Sequence, residues 1–230
     1  MNTTTNLKLK KHTLLLIASD GFQVGKSTFA TMLEHYLEKE ALLRESFADP
    51  LKDMLRVLLT RHIGAHHTEV SKGLTGDLKE TQVGALQHSK VTYRKLMQTL
   101  GTEWREAAGC PDLWGEVMLN KLLTRAEWAD NQDKKLWVVV DDFRFPREAN
   151  FLIEHLDPEE WQVESVLVTK SSKNTGSEAH THKSEGSLKD WPFNYIADNS
   201  GGKDALYSIA ADIAYNIIAR QNSCDYLCDV

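Results

Sequence analysis

The chain predicts an α/β fold, a parallel β-sheet flanked by helices on both faces, and three observations carry that expectation. Residues 14–18, 136–140 and 165–169 are short apolar runs without alternation, as strands buried on both faces require. Amphipathic stretches separate them, and strands that alternate with helices pair in parallel. The third observation is the junction at residues 14–28. There an apolar strand passes through a glycine-bearing turn, Gly21 to Gly25, into Lys26-Ser27-Thr28 and a helix start.

The elements follow in order. Residues 28–40 place Phe29, Met32, Leu33 and Leu37 on one helical face. Asp49 or Pro50 opens a helix with apolar positions Leu51, Met54, Leu55 and Leu58. From 60 to 90 the periodicity fails; the stretch holds Gly64, Gly73, Gly76 and Gly84 and four of the nine histidines, and it reads as an irregular segment. No histidine there has the glutamate spacing of a helical zinc site. Helical spacing returns over 92–108 through Leu96, Leu100 and Trp104, with Gly101 placed as a C-cap, and again over 113–128. Residues 170–190, rich in Ser, Gly, Lys and His, read as a loop or lid. A short strand at 195–198 and an amphipathic helix at 205–220 close the chain.

Length and composition set limits on function. The 230 residues are 41% hydrophobic and 26% charged, which suits one α/β domain spanning 1–230 with a sizeable core. A net charge of −6, with no run of five basic residues, argues against binding polymeric nucleic acid but allows a local basic pocket for a mononucleotide. The odd set Cys110, Cys224 and Cys228 suggests free thiols in a reducing cytoplasm. Residues 1–12 form a polar, lysine-dotted tail without the apolar core of a signal peptide, and no run is long enough to span a membrane. A cytoplasmic chain without a membrane partner is expected.

The 14–28 junction has the layout of a P-loop. Backbone N–H groups at Gly21, Val24 and Gly25 and at the helix N-terminus would cradle phosphate oxygens of ATP, aided by the helix dipole. Lys26 would supply a point charge to the β- and γ-phosphates, and Ser27 a Mg²⁺ ligand, with Thr28 beside it. The match departs from the usual pattern at Asp20, where a glycine is customary, with Gly21 one position late. P-loop folds place a magnesium-supporting carboxylate at the end of a buried strand, and Asp141 and Asp142 compete for that place. Arg144 leaves the strand end on the same side as Asp142, and Glu148 lies one helical turn further on. Arg94 and Gln98 share a helix face; Arg94 can clamp a phosphate through two N–H groups, although alone it reads equally as part of a solvated face.

Five segments together resemble the deoxynucleoside monophosphate kinases of tailed bacteriophages. They are Phe47-Ala-Asp-Pro-Leu-Lys52, Arg94-Lys-Leu-Met-Gln-Thr-Leu-Gly-Thr102, Trp114, Asp142-Phe-Arg144 with Glu148, and Thr181-His-Lys-Ser-Glu185. The likeness runs from the P-loop to the Ala-Asp-Asn-Ser segment at 197–200, and Arg-x-Leu-Met-Gln-x-Leu-Gly-Thr is its specific core. It implies a P-loop kinase fold with a mobile acceptor-binding and lid region, and transfer of the γ-phosphoryl group of ATP to a deoxynucleoside monophosphate. Lys52, Arg94, Gln98, Gly101, Thr102, Trp114, Asp142, Arg144 and Glu148 would then line the acceptor site, with Lys26 and Arg94 catalytic. Relatives often carry Asp-Thr after the P-loop lysine, where this chain has Ser27-Thr28. His182, Ser184 and Glu185 match the pattern without individual roles. Relatives often dimerise, which extends the expectation to a homodimer. Two other functions use the same features, a kinase of another small phosphorylated metabolite and a nucleotide-dependent switch protein.

Overall fold

A computed structural model describes residues 10–21, 24–37, 41–170 and 187–222. The chain divides into two compact units, one of Met1–Ser46 with Met118–Val230, the other of Phe47–Val117.

The first unit is built on strands β1 (His12–Ser19), β2 (Leu42–Glu45), β3 (Leu136–Val140), β4 (Trp161–Thr169) and β5 (Tyr195–Asp198). They form one five-stranded sheet, all parallel, in the order β2-β3-β1-β4-β5. In the register, Leu16 of β1 lies beside Val140 of β3 and Ser165 of β4. The helices of this unit are α1 (Lys26–Tyr36), the later part of α6 (Leu113–Asp130), α7 (Pro146–His155) and α8 (Lys203–Asn222).

Both sheet faces are covered. Leu15, Ile17, Trp137, Val139, Val166 and Val168 form one core with Phe29 and Leu33 of α1 and Leu206, Ala210 and Ile217 of α8. Alternate positions, Leu14, Leu16, Val138 and Val140, point to the other face and are equally buried. β1 leads through α1 toward β2, whereas β3 leads through α7 toward β4 on the far side of β1. Right-handed crossovers therefore put α1 and α7 on opposite faces.

Two features of this unit are weak in the sequence. β2 is a four-residue edge strand with an exposed Arg44, too short for a periodic signal. The first half of β4 hides behind Gln162 and Glu164, buried polar residues joined by a hydrogen bond from Gln162 Nε2 to Glu164 Oε1 at 2.8 Å.

The second unit contains α2 (Asp49–Val57), α3 (His67–Thr75), α4 (Tyr93–Gln98), α5 (Arg105–Ala107) and the start of α6. α2 runs on into a π-helical turn, Leu58–His62, and α4 into another, Thr99–Trp104. Two expectations are corrected here. Residues 60–90 are not irregular throughout, because α3 forms with Val70 and Leu74 buried. Its face includes Gly73, where an added Cβ would lie 2.4 Å from the buried Tyr93 ring, so the helix packs through a missing side chain and leaves little apolar periodicity. Gly101 is no C-cap either. The helix passes through it in π turns to Trp104 and on to Ala107, because Leu51 and the Trp114 indole lean on that backbone and no left-handed residue occurs between Gly101 and Gly109.

Among the described residues, no helix is long and apolar enough to cross a membrane. The lid-like positions 171–186, with His182, Ser184 and Glu185, lie outside the described residues, as do Phe22, Gln23, Cys224, Cys228 and residues 1–9.

Candidate functional site

The adjacent strands β1 and β3 send their connections to opposite faces, which makes their carboxyl ends a topological switch point. Open α/β sheets bind ligands at such a switch point. The β1–α1 turn enters α1 through Gly25, whose φ of +93° is a left-handed conformation that side chains rarely tolerate. Gly25 at the N-cap has no side chain to cap this helix start, which suits its first N–H groups to an anion. The turn is pinned at Val24, whose carbonyl accepts from Asn199 Nδ2 at 2.8 Å. Ser19 Oγ donates to the Gly21 carbonyl at 3.2 Å.

Of the two aspartates after β3, Asp141 meets α1. Ser27 Oγ donates to Asp141 Oδ2 at 3.0 Å, and Arg44 Nη2 donates to the same oxygen at 2.5 Å. Asp142 instead accepts from Ser46 Oγ at 2.6 Å. Burial pushes the Asp141 carboxyl up, but the hydrogen bond and charge of Arg44, with Ser27 and Lys26, outweigh it and hold the group below its ordinary 3.8. It is therefore ionised at neutral pH.

Lys26 is half-buried at the start of α1. Burial pushes its ammonium below the ordinary 10.5 and the Arg144 charge adds to this, while Asp142, Asp141 and Glu148 pull it back up. Lys26 thus lies within electrostatic reach of Asp141, Asp142, Arg144 and Glu148. Glu148 itself is buried, and its Oε2 accepts from the backbone N–H groups of Arg144 and Phe145, both at 3.1 Å. Its carboxylate thus caps α7 and fixes the backbone from which Arg144 projects. Asp20, the departure from the usual turn, has its carboxyl raised by burial, with the Asp198 charge adding and a backbone hydrogen bond opposing.

The other expected residues belong to the second unit. Lys52 Nζ donates to Asp49 Oδ1 at 3.0 Å. Arg94 pairs through Nε with Glu80, and its Nη groups take no partner among the described residues, which leaves a fork for an anion. Gln98 and Thr102 lie half-buried along α4 and its π continuation. Trp114, which the resemblance places in the acceptor site, is turned inward. It is 4% exposed, and its Nε1 donates to the Gly101 carbonyl at 3.0 Å, which ties α6 to the π turn. Within this unit the more open indole is Trp104, 42% exposed.

Arg44, Ser46 and Asn199 are the site residues that motif reading overlooked. Arg44 and Ser46 flank the end of the unrecognised β2. Asn199 lies in the Ala-Asp-Asn-Ser segment, next to a strand that was expected, so its position after β5 was the available signal. Neither a protein-family profile nor a curated protein sequence matches this chain.

Proposed function

We propose that this chain is a P-loop kinase that transfers the γ-phosphoryl group of ATP to a deoxynucleoside 5′-monophosphate. One observation carries the reading. Ser27, next to Lys26 at the start of α1, donates a 3.0 Å hydrogen bond to the ionised Asp141 at the topological switch point. Strand, turn, lysine, hydroxyl and carboxylate are the donor half of a phosphoryl-transfer site.

In this reading the β1–α1 turn binds the ATP phosphates through backbone N–H groups and the ammonium of Lys26. A phosphate oxygen of the acceptor attacks the γ-phosphorus, and the bond from that phosphorus to the β-phosphate oxygen breaks, giving dNDP and ADP. The attacking oxygen is already anionic at neutral pH, so positioning and charge neutralisation dominate and no dedicated base is needed. Arg94, with its unoccupied guanidinium fork, and Lys52 are the cations assigned to the acceptor phosphate. Asp142 and Arg144 are assigned to its polar edges. The residues also fit Mg²⁺: the Ser27 hydroxyl and the Asp141 carboxylate are hard oxygen donors, as few as Mg²⁺ uses when phosphates complete its shell. Bound there, the ion would neutralise charge on the β- and γ-phosphate oxygens.

The buried Trp114 favours keeping a second reading, a P-loop kinase of another small phosphorylated metabolite, because the indole that the resemblance places in the acceptor site leaves little surface to meet a base. The test is ADP release measured over dAMP, dGMP, dCMP, dTMP, their ribonucleotide counterparts and a panel of other phosphorylated metabolites. Stimulation by one or more deoxynucleotides supports the proposal. Stimulation by a non-nucleotide alone selects the second reading, and turnover indifferent to every acceptor removes both.

A further inference from the structure

We propose that Arg44 is a positioning residue for the metal site of this reaction: from the edge strand β2 it fixes the Asp141 carboxylate, and through it the Ser27 hydroxyl, in the orientation that receives a divalent cation. The proposal rests on the phosphoryl-transfer reading and adds a residue that belongs to none of its motifs.

The guanidinium serves several groups at once. Nη2 donates to Asp141 Oδ2 at 2.5 Å and to the Ser27 carbonyl at 3.4 Å, and Nη1 donates to Thr31 Oγ1 at 3.1 Å. Glu34 Oε1 lies 3.6 Å from Nη1 and offsets part of its charge. Arg44 therefore links the end of β3 to the first turns of α1, the two elements that carry the proposed cation ligands. A half-exposed ion pair contributes little to stability by itself. What this one does is directional.

Both donors to Asp141 converge on Oδ2, from Arg44 and from Ser27. Among the described residues Oδ1 has no partner, so its direction is set by the constraint on its neighbour. The Ser27 hydroxyl spends its proton on Asp141, which turns its lone pairs away from the carboxylate and makes them available. A cation would thus meet two oxygens already oriented. Arg44 is always protonated, so a site for a cation would exclude it unless it served orientation. A lysine ammonium supplies the charge but lacks the planar fork that spans Asp141, Ser27 and Thr31.

The test measures coupling between metal and nucleotide, not turnover. For each full-length variant the Kd for ATP is measured by titration calorimetry in EDTA and in excess Mn²⁺, and the ratio of the two is the coupling. Arg44→Gln is expected to reduce that coupling roughly tenfold, as for a lost outer partner of a metal ligand, with metal-free ATP binding unchanged. Arg44→Lys should fall between, and it decides the matter if Arg44→Gln melts too low to be folded. In an Asp141→Asn background Arg44→Gln should cause no further loss, because the two act as one unit. Stronger coupling in Arg44→Gln would make Arg44 a competitor of the metal and overturn the proposal. So would equal losses with and without Mn²⁺, or full additivity with Asp141→Asn. A wild-type chain that binds ATP in neither condition removes the phosphoryl-transfer reading itself, and the role of Arg44 with it.

Discussion

Ser27, Arg44 and Asp141 come from α1, β2 and the end of β3, and they meet through contacts of 2.5 and 3.0 Å that span 97 and 114 residues of sequence. In the second unit, Lys52 is held by Asp49, three residues away on the same helix, and Arg94 by Glu80 in the preceding loop. The first arrangement exists only when the sheet is assembled, and it closes a network around one ionised carboxylate. The second consists of separate local pairs that an anion can displace or share. Side chains that must orient a small hard cation need the rigid version, whereas cations that receive a mobile phosphate do not.

The sharpest way to break this contrast is Lys26→Ala. It removes the ammonium beside the first network and should lower turnover by roughly 10²–10³-fold, the scale of one lost transition-state donor. Its melting temperature should hold or rise, since a desolvated ammonium is removed. A loss of fold instead would make Lys26 structural.

Gly73→Ala probes the second unit in the same way. Its Cβ would lie 2.4 Å from the Tyr93 ring, which is fully buried and whose hydroxyl donates to Glu69 at 3.0 Å. Overpacking of that kind costs about 3 kcal/mol, read as a lower urea midpoint. An unchanged midpoint would mean that α3 does not pack on Tyr93.

Arg94→Ala sharpens the comparison from the functional side. It should lower kcat by roughly tenfold to a hundredfold, with little change in the KM for ATP, if this guanidinium acts on the acceptor and the transferring group. An effect confined to the KM for ATP would move Arg94 to the donor side.

The smallest effect is on pH. His12 is fully buried beside Trp161, and desolvation holds its imidazole below 6.5 against the opposing pull of Asp130 and Glu160. The unfolded chain therefore takes up this proton first. Stability is full above about pH 6.5, falls as the pH drops below that value, and levels off once the folded pKa is passed. His12→Phe should flatten the acid limb of the urea midpoint, and an unchanged limb would assign it to other groups.

Legibility followed the range of the interaction. β3 matched its apolar run, and β1 exceeded its run by His12 and Thr13 at the start and Ser19 at the end. Lys26 and Ser27 were readable because a turn between strand and helix is a local event. α3 was missed because its packing position is a glycine, and Gly101 was misread because a helix can continue through glycine when neighbours hold it. Trp114 was assigned to a ligand because an indole at a helix start gives no sign of which way it faces.

By itself the sequence determined the parallel sheet, the α1 start with its lysine and hydroxyl, and the candidate cations, since these depend on periodicity and neighbouring residues. Only the tertiary structure chose Asp141 over Asp142 as the partner of Ser27, brought Arg44 to Asp141 and Asn199 to the turn, and turned Trp114 inward. Adjacent residues at a strand end point to different sides. Which side faces α1 is set by the strand order and the register of β3 between β1 and β2, and these are properties of the assembled sheet.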